Sequence, residues 1–194
     1  MQDRIKLPFQ FDVQKLQADL QRVEQMGWME HFVKQNYTGD WSVIPLRGPA
    51  DAQHPVMMIY SDPACTTYGP TPFLEQGPYF QEVLAQFPCE LQAVRLMKLT
   101  VRSVIKEQRD HDLDYAQGYV RIHIPVVTNP DVEFYLNNQR VIMNEGECWY
   151  LRLSDPHRVS NRGSVDRVHL VIDAVVNDWL RELFEREAVT QSLV

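Results

Sequence analysis

Val132-Glu-Phe-Tyr-Leu-Asn-Asn-Gln-Arg-Val-Ile-Met143 is the stretch on which the fold class turns. Two runs of β-forming residues flank Asn137-Asn138, and asparagine tolerates the positive φ that a two-residue hairpin turn demands. The spacing predicts two antiparallel strands and a fixed register. Outward from this hairpin, runs rich in Val, Ile, Leu, Tyr and Phe recur at 93–99, 103–106, 119–127, 147–153 and 166–175. Many short strands separated by turn residues indicate a sandwich or barrel.

The flanks read differently. Leu16, Leu20 and Val23 fall at helical spacing within 11–26 and predict an amphipathic surface helix ending near Gly27. From 41 to 78, short apolar pieces at 43–46 and 56–60 lie among Pro, Gly, Asp and Thr, a pattern of brief strands with long connections that can rim a pocket. Phe80, Val83, Leu84 and Phe87 predict a second helix over 79–87, and Trp179, Leu180, Leu183 and Phe184 a capped helix over 177–187 packed outside the sheet. The expectation is one domain over 1–194: a helical and loop region to about 90, a β core over about 91–176, and the final helix.

With 194 residues, 44% hydrophobic and 23% charged, the chain can bury one substantial core. Its net charge of −7 argues against nucleic acid or an anionic membrane as the main partner, since both reward clustered Lys and Arg. No leader-like segment or membrane-length apolar run stands out. Three widely spaced cysteines, Cys65, Cys89 and Cys148, suit a reducing compartment, so the cytoplasm is the expected location.

Polar residues inside apolar strands are costly without partners, which singles out Gln108 to Asp112, Arg121 with His123, and His157 followed by Arg167 and His169. A mononuclear iron site of the facial-triad type needs two imidazoles and one carboxylate. In a jelly-roll the first histidine and the acid sit two residues apart on one strand face, and the second histidine comes from a later strand. An arginine beside it can hold the far carboxylate of 2-oxoglutarate. Asp110, His157 and Arg167 suit three of these four roles. Each has an ordinary alternative: a turn histidine for His157, pairing with Arg109 or Lys106 for Asp110, and pairing with Asp166 or Asp173 for Arg167. His169 reads as a satisfied core group.

The sequence from about Val94 to Leu180 resembles the catalytic half of the aspartyl/asparaginyl β-hydroxylase family, including its free-amino-acid relatives such as the proline hydroxylases. The elements that carry the resemblance are Ile105-Lys-Glu-Gln-Arg-Asp110, Val120-Arg-Ile-His-Ile-Pro125, Gly146-Glu-Cys-Trp-Tyr150, Pro156-His-Arg158, Asn161-Arg162 and Asp166-Arg-Val-His-Leu170. Tyr60-Ser-Asp-Pro63 adds weak support. The resemblance implies a mainly β, cupin-like double-stranded β-helix, or jelly-roll, with flanking helices. It implies Fe(II) held by His157 and Asp110, 2-oxoglutarate clamped by Arg167, and His123 with Arg121 lining the co-substrate pocket. It also implies hydroxylation of an amino acid or of an amino-acid residue in a peptide.

One position departs from the family's His-x-Asp, which here reads Gln108-Arg109-Asp110. A neutral amide oxygen is a weaker donor to Fe(II) than imidazole. Weak coordination by Gln108, water in its place, and recruitment of His111 through a bend or bulge are the alternatives, in that order. The departure motivates a second reading, a non-catalytic jelly-roll that lost its metal and serves as a small-ligand-binding or interaction module. A cupin enzyme using another metal ranks third, because these residues do not supply a multiple-histidine set.

Overall fold

A computed structural model describes residues 1–59 and 64–192. The Tyr60–Pro63 segment of the sequence reading lies outside the described residues. The strands are β1 (Arg4–Gln10), β2 (Met29–Glu30), β3 (Tyr37–Thr38), β4 (Trp41–Pro49), β5 (Tyr68–Pro70), β6 (Leu91–Leu99), β7 (Val104–Gln108), β8 (Tyr119–Val127), β9 (Val132–Leu136), β10 (Gln139–Val141), β11 (Glu147–Leu151), β12 (His157–Asn161) and β13 (Arg167–Val175). The α-helices are α1 (Val13–Val23), α2 (Pro55–Ile59), α3 (Pro72–Glu75), α4 (Pro78–Leu84) and α5 (Asp178–Ser192).

Two antiparallel sheets result. The larger has the order β1-β11-β8-β13-β6-β4-β2, with β5 also paired to β4, and the smaller runs β10-β9-β12-β7-β3. From β6 onward the chain alternates between them: β6 in the large sheet, β7 in the small, β8 large, the β9–β10 hairpin small, β11 large, β12 small, β13 large. That winding is the jelly-roll, or double-stranded β-helix.

Period-two alternation divides the large sheet into a helix-facing side and an inner side. Val168, Leu170, Ile172 and Ala174 of β13 and Val120, Ile122, Ile124 and Val126 of β8 join one buried cluster with Leu16 and Leu20 of α1, Phe80 of α4, and Leu180 and Phe184 of α5. A second cluster lies between the sheets, where Trp41, Val43, Met97, Leu99 and Val171 meet Ile105, Phe134, Leu136 and Val159. The helices are fixed locally as well. The Asp12 side chain accepts the Lys15 N–H at the start of α1, and buried Asp19 accepts the Tyr79 and Phe80 N–H groups at the start of α4, at 2.6 and 3.1 Å. Among the described residues no helix is long and apolar enough to cross a membrane.

Besides the short β2, β3 and α3, which the sequence analysis does not predict, the structure departs from the expected elements in four places. Residues 56–59, expected as strand, belong to α2, where the Met57 and Met58 N–H groups return to the His54 carbonyl and the adjacent Met58 and Ile59 are both buried, unlike the alternating faces of a strand. The strand β1 was not anticipated; it adds to the sheet edge through β11. β12 was not counted as a strand because His157-Arg-Val-Ser-Asn161 is too polar to register as one, yet its Val159 and His157 turn inward. The last helix also extends to Ser192.

The hairpin has the predicted turn. Asn137 and Asn138 adopt φ of 52° and 60°, and Leu136 pairs with Gln139 across them. Asn138→Val should therefore destabilise the protein by about 1–2 kcal/mol in urea denaturation, whereas Asn138→Gly should stay within about 0.5 kcal/mol; equal losses for the two would contradict a left-handed requirement at this position.

Candidate active site

The inner face of the large sheet is a grid read from its register. Arg167 of β13 lies beside Leu99 of β6, His169 beside Met97 and Pro125, Val171 beside Arg95 and His123, and Asp173 beside Arg121. Directly paired residues share a face, so alternation aims His123, Arg121, Arg95, Arg167, His169 and Asp173 into the space between the sheets. The small sheet contributes His157 and Gln108, which are paired to each other. All of these except His169, which is buried behind them, border a cavity of about 620 Å³, within the range of small-molecule sites.

His157 is 4% exposed, and its Nδ1 sits 3.0 Å from the Asp155 carbonyl oxygen. A carbonyl only accepts, so the ring proton belongs on Nδ1, and Nε2 faces Asp110 Oδ2 at 3.5 Å. A proton or a cation between these two atoms would join them. Asp110 is placed by its own N–H, which donates to the Leu153 carbonyl at 2.7 Å, and by the Leu113 N–H, which donates to the Asp110 carbonyl. Burial pushes the Asp110 carboxyl upward, but the His157 ring and the Arg121 charge outweigh it and hold the group below its ordinary value.

Gln108 reaches the cavity through a bulge. His157 pairs with Gln108 but Val159 pairs with Ile105, so β7 carries one extra residue, and Ile105 and Gln108 both border the cavity. The strand then ends and the chain turns at His111-Asp112. Asp110 is thus presented by a turn and not by continued strand alternation. His111 is exposed at the cavity rim. Among the described residues no three His, Cys, Asp or Glu side chains come together as a metal would need, which tells against both recruitment of His111 and a multiple-histidine site.

Deeper in the cavity, Arg167 is 2% exposed and has no carboxylate partner among the described residues. Both ordinary partners are engaged elsewhere: Asp166 accepts the Val101 N–H at 3.0 Å and Asp173 binds Arg121. The Arg167 Nη2 group donates to His169 Nδ1 at 3.2 Å, while its Nε is buried without a partner. Burial in the absence of a counter-charge pulls this guanidinium down to about 9. Since His169 Nδ1 accepts from Arg167, the contact of 3.0 Å from His123 Nδ1 to the same atom is favourable when His123 carries its proton there. His123 Nε2 is then a bare acceptor, buried without a partner.

Nearer the mouth, Arg121 makes a two-pronged pair with Asp173, Nε to Oδ1 at 2.6 Å and Nη2 to Oδ2 at 2.9 Å, and lies 3.6 Å from Asp110. Burial opposes its charge, but these carboxylates more than compensate and move it above its ordinary value. Arg95 shares only a 3.6 Å contact with Asp173. His31, stacked on Trp41 at 3.8 Å between ring centroids, forms a wall, and burial followed by the charges of Arg95 and Arg121 lowers it to about 4.

The six residues that the resemblance assigns to the site, Gln108, Asp110, Arg121, His123, His157 and Arg167, all border one cavity. His169, read as a satisfied core group, is buried off the cavity with Arg167 and His123 as partners. Three further residues escaped the sequence reading, of which Asp173 could have been placed by the two-residue alternation from Arg167. Arg95 required the β6 register, and His31 came from a segment with no strand or helix signal.

The comparisons with known proteins fit this architecture. Residues 10–176 match the family model described as Aspartyl/Asparaginyl beta-hydroxylase. The chain is 24% identical over 191 residues to L-proline cis-4-hydroxylase of Rhizobium meliloti (strain 1021), a match covering 95% of this chain and 66% of that protein, so it spans slightly less than two thirds of that relative's length. An oxidoreductase of the 2OG-Fe(II) oxygenase family from Burkholderia pseudomallei superposes with a TM-score of 0.58 at 14% identity, covering 90% of this chain and 86% of that one. HygX from Streptomyces hygroscopicus, solved with nickel and 2-oxoglutarate bound, superposes at 0.57 with 12% identity, covering 91% and 84%. At such identities the likeness is one of fold. The family match, by contrast, runs through the whole winding from β6 to β13, and the chain belongs to the aspartyl/asparaginyl β-hydroxylase family.

Proposed function

We propose that the protein is an Fe(II)- and 2-oxoglutarate-dependent hydroxylase acting on an amino acid or on an amino-acid residue in a peptide. The observation that carries this is Arg167: a guanidinium buried in the same cavity as His157 and Asp110, with an orphaned Nε and no carboxylate partner among the described residues. A buried, unpaired charge is costly, and a dicarboxylate entering the cavity would relieve it with a charge-assisted pair. The relative named for L-proline supports a small amino acid as substrate. The three free cysteines support a reducing compartment such as the cytoplasm, and the acidic balance supports a small-molecule or polypeptide partner over nucleic acid or membrane.

His157 Nε2 and Asp110 fit two metal-ligand positions, and the Gln108 amide oxygen fits the third as a weaker donor. Bound there, iron would supply oxygen activation, with 2-oxoglutarate and O₂ converted to succinate and CO₂ as one oxygen atom is inserted into a substrate C–H bond. The chain's own contribution is position and shielding. Arg167 holds the far carboxylate, with His123 and Arg121 lining the same pocket. The Asp155 carbonyl keeps His157 in the tautomer that presents Nε2. Phe134, stacked parallel to His157 with ring centroids 6.4 Å apart, helps keep water from it.

Gln108 also favours a second reading, a jelly-roll that binds a dicarboxylate without metal or turnover. Incubation with Fe(II), 2-oxoglutarate and a panel of free amino acids and peptides should yield succinate that depends on one substrate, and Gln108→His should tighten metal binding. Metal-free protein after reconstitution, with no succinate across the panel, would overturn the hydroxylase reading, and turnover gained only by Gln108→His would mark a lapsed enzyme.

Thermal stabilisation by 2-oxoglutarate, about 2.7 kcal/mol at a hundred times its Kd, should vanish in Arg167→Met without loss of the apo protein's stability. Retention of the full effect in that variant would move the co-substrate elsewhere. Binding should also carry a pH signature. Burial, and then the charge of Arg167, keep His123 neutral in the empty cavity; a carboxylate offers only acceptors to its bare Nε2, so the complex takes up a proton. Affinity should then fall as pH rises, with calorimetry in buffers of different ionisation enthalpy reading proton uptake; a pH-independent affinity would contradict the tautomer assignment.

A further inference from the structure

We propose that His169 is a positioning residue for the co-substrate: from behind the cavity, its Nδ1 lone pair holds the Arg167 guanidinium and the His123 ring in the orientations that receive a dicarboxylate. The inference rests on the dicarboxylate reading of Arg167 and adds the group that sets its geometry.

Arg167 and His169 lie two residues apart on β13 and share its inner face, and the ladder places His169 beside Pro125, two residues along β8 from His123. All three side chains are buried. Arg167 Nη2 comes to 3.2 Å from His169 Nδ1, and His123 Nδ1 to 3.0 Å from the same atom. A guanidinium only donates, so this nitrogen is bare and the His169 proton sits on Nε2. Burial, then the charge of Arg167 and the nearby His123, hold His169 well below its ordinary value and keep the ring neutral. One lone pair thus faces two donors.

That convergence fixes both donors. Nη2 carries two protons, so one can stay on His169 and set the guanidinium plane, while the other, beside the unpartnered Nε–H, is left for the two oxygens of one carboxylate. The His123 ring stands at 79° to the His169 ring with its proton toward the shared lone pair, which leaves Nε2 as the nitrogen without a partner. An apolar side chain at 169 would bury the Arg167 and His123 N–H groups with that acceptor gone. Both groups could then turn, and a ligand would have to order them as it binds.

The test compares the natural full chain with His169→Leu, which fills the site without an acceptor, and His169→Asn, whose Oδ1 offers an acceptor near the place of Nδ1. Calorimetry with Mn(II) present should show 2-oxoglutarate affinity about tenfold lower or worse in His169→Leu and within about threefold of the natural protein in His169→Asn. Urea denaturation should rank the two variants the other way, because a buried amide is the worse replacement in a core. A role confined to packing predicts that affinity follows stability, so equal affinities, or weaker binding in His169→Asn than in His169→Leu, would overturn the inference. Long-range ¹H–¹⁵N correlation on the histidine-labelled empty protein should place the proton of His169 on Nε2 and that of His123 on Nδ1, and His123 should lose this preference in His169→Leu. A proton on His169 Nδ1, or an unchanged His123 in His169→Leu, would also overturn it. If His169→Leu does not fold, the tautomers of the natural protein and the affinity of His169→Asn decide. Failure of the natural protein to bind 2-oxoglutarate would instead count against the dicarboxylate reading, and the tautomers of the empty protein would then judge the hold of His169 on its two neighbours separately.

Discussion

Burying more positive than negative charge in one cavity is the constraint from which the rest of this structure follows. Arg95, Arg121 and Arg167 face the space between the sheets; among the described residues the carboxylates within ion-pair reach of them are Asp110 and Asp173, and of the three Arg121 is the one fully paired. Such an arrangement lowers the stability of the empty protein, because desolvated charge without a partner is unfavourable. Its persistence in a well-packed core is intelligible if anionic ligands complete it. The same surplus explains the pull on neighbouring groups, since burial and nearby guanidinium charges together depress His31 and His123.

The scaffold can tolerate this because it divides its two faces so cleanly. On β13, Val168, Leu170, Ile172 and Ala174 join the helix-side cluster, while Arg167, His169 and Asp173 alternate with them toward the space between the sheets. A slip of one residue would send the charges into the helix-side core and the apolar residues into the cavity. Packing on one side of the sheet thus enforces the chemistry on the other. The small sheet supplies what the large one lacks, through the β7 bulge at Gln108 and the turn that presents Asp110 to His157.

Much of this was legible in the sequence, and the exceptions have physical reasons. The 132–143 hairpin could be read because Asn137-Asn138 encodes its turn, and β8 because nine residues of alternating pattern leave little choice. β12 could not, since four of its five residues are polar and its stability comes from neighbours on both sides, β7 and β9. The short α2 helix was misread because Val56, Met57, Met58 and Ile59 favour a strand by composition, and only tertiary burial of Met58 and Ile59 decides otherwise. In the cavity, residues joined by two-residue spacing were recoverable, whereas the closeness of Arg95 to Asp173 depends on strand register across distant segments. His111 shows the reverse: strand alternation was the wrong frame for it, because β7 stops at Gln108.

The central claim is that His157, Asp110 and Arg167 form one site for a metal and a dicarboxylate. Crystals of the natural protein grown with Mn(II) and 2-oxoglutarate test it most directly. The account predicts anomalous scattering from manganese next to His157 Nε2 and Asp110, with the far carboxylate of 2-oxoglutarate paired to Arg167. A dicarboxylate bound outside this cavity, or manganese held by other side chains, would contradict it.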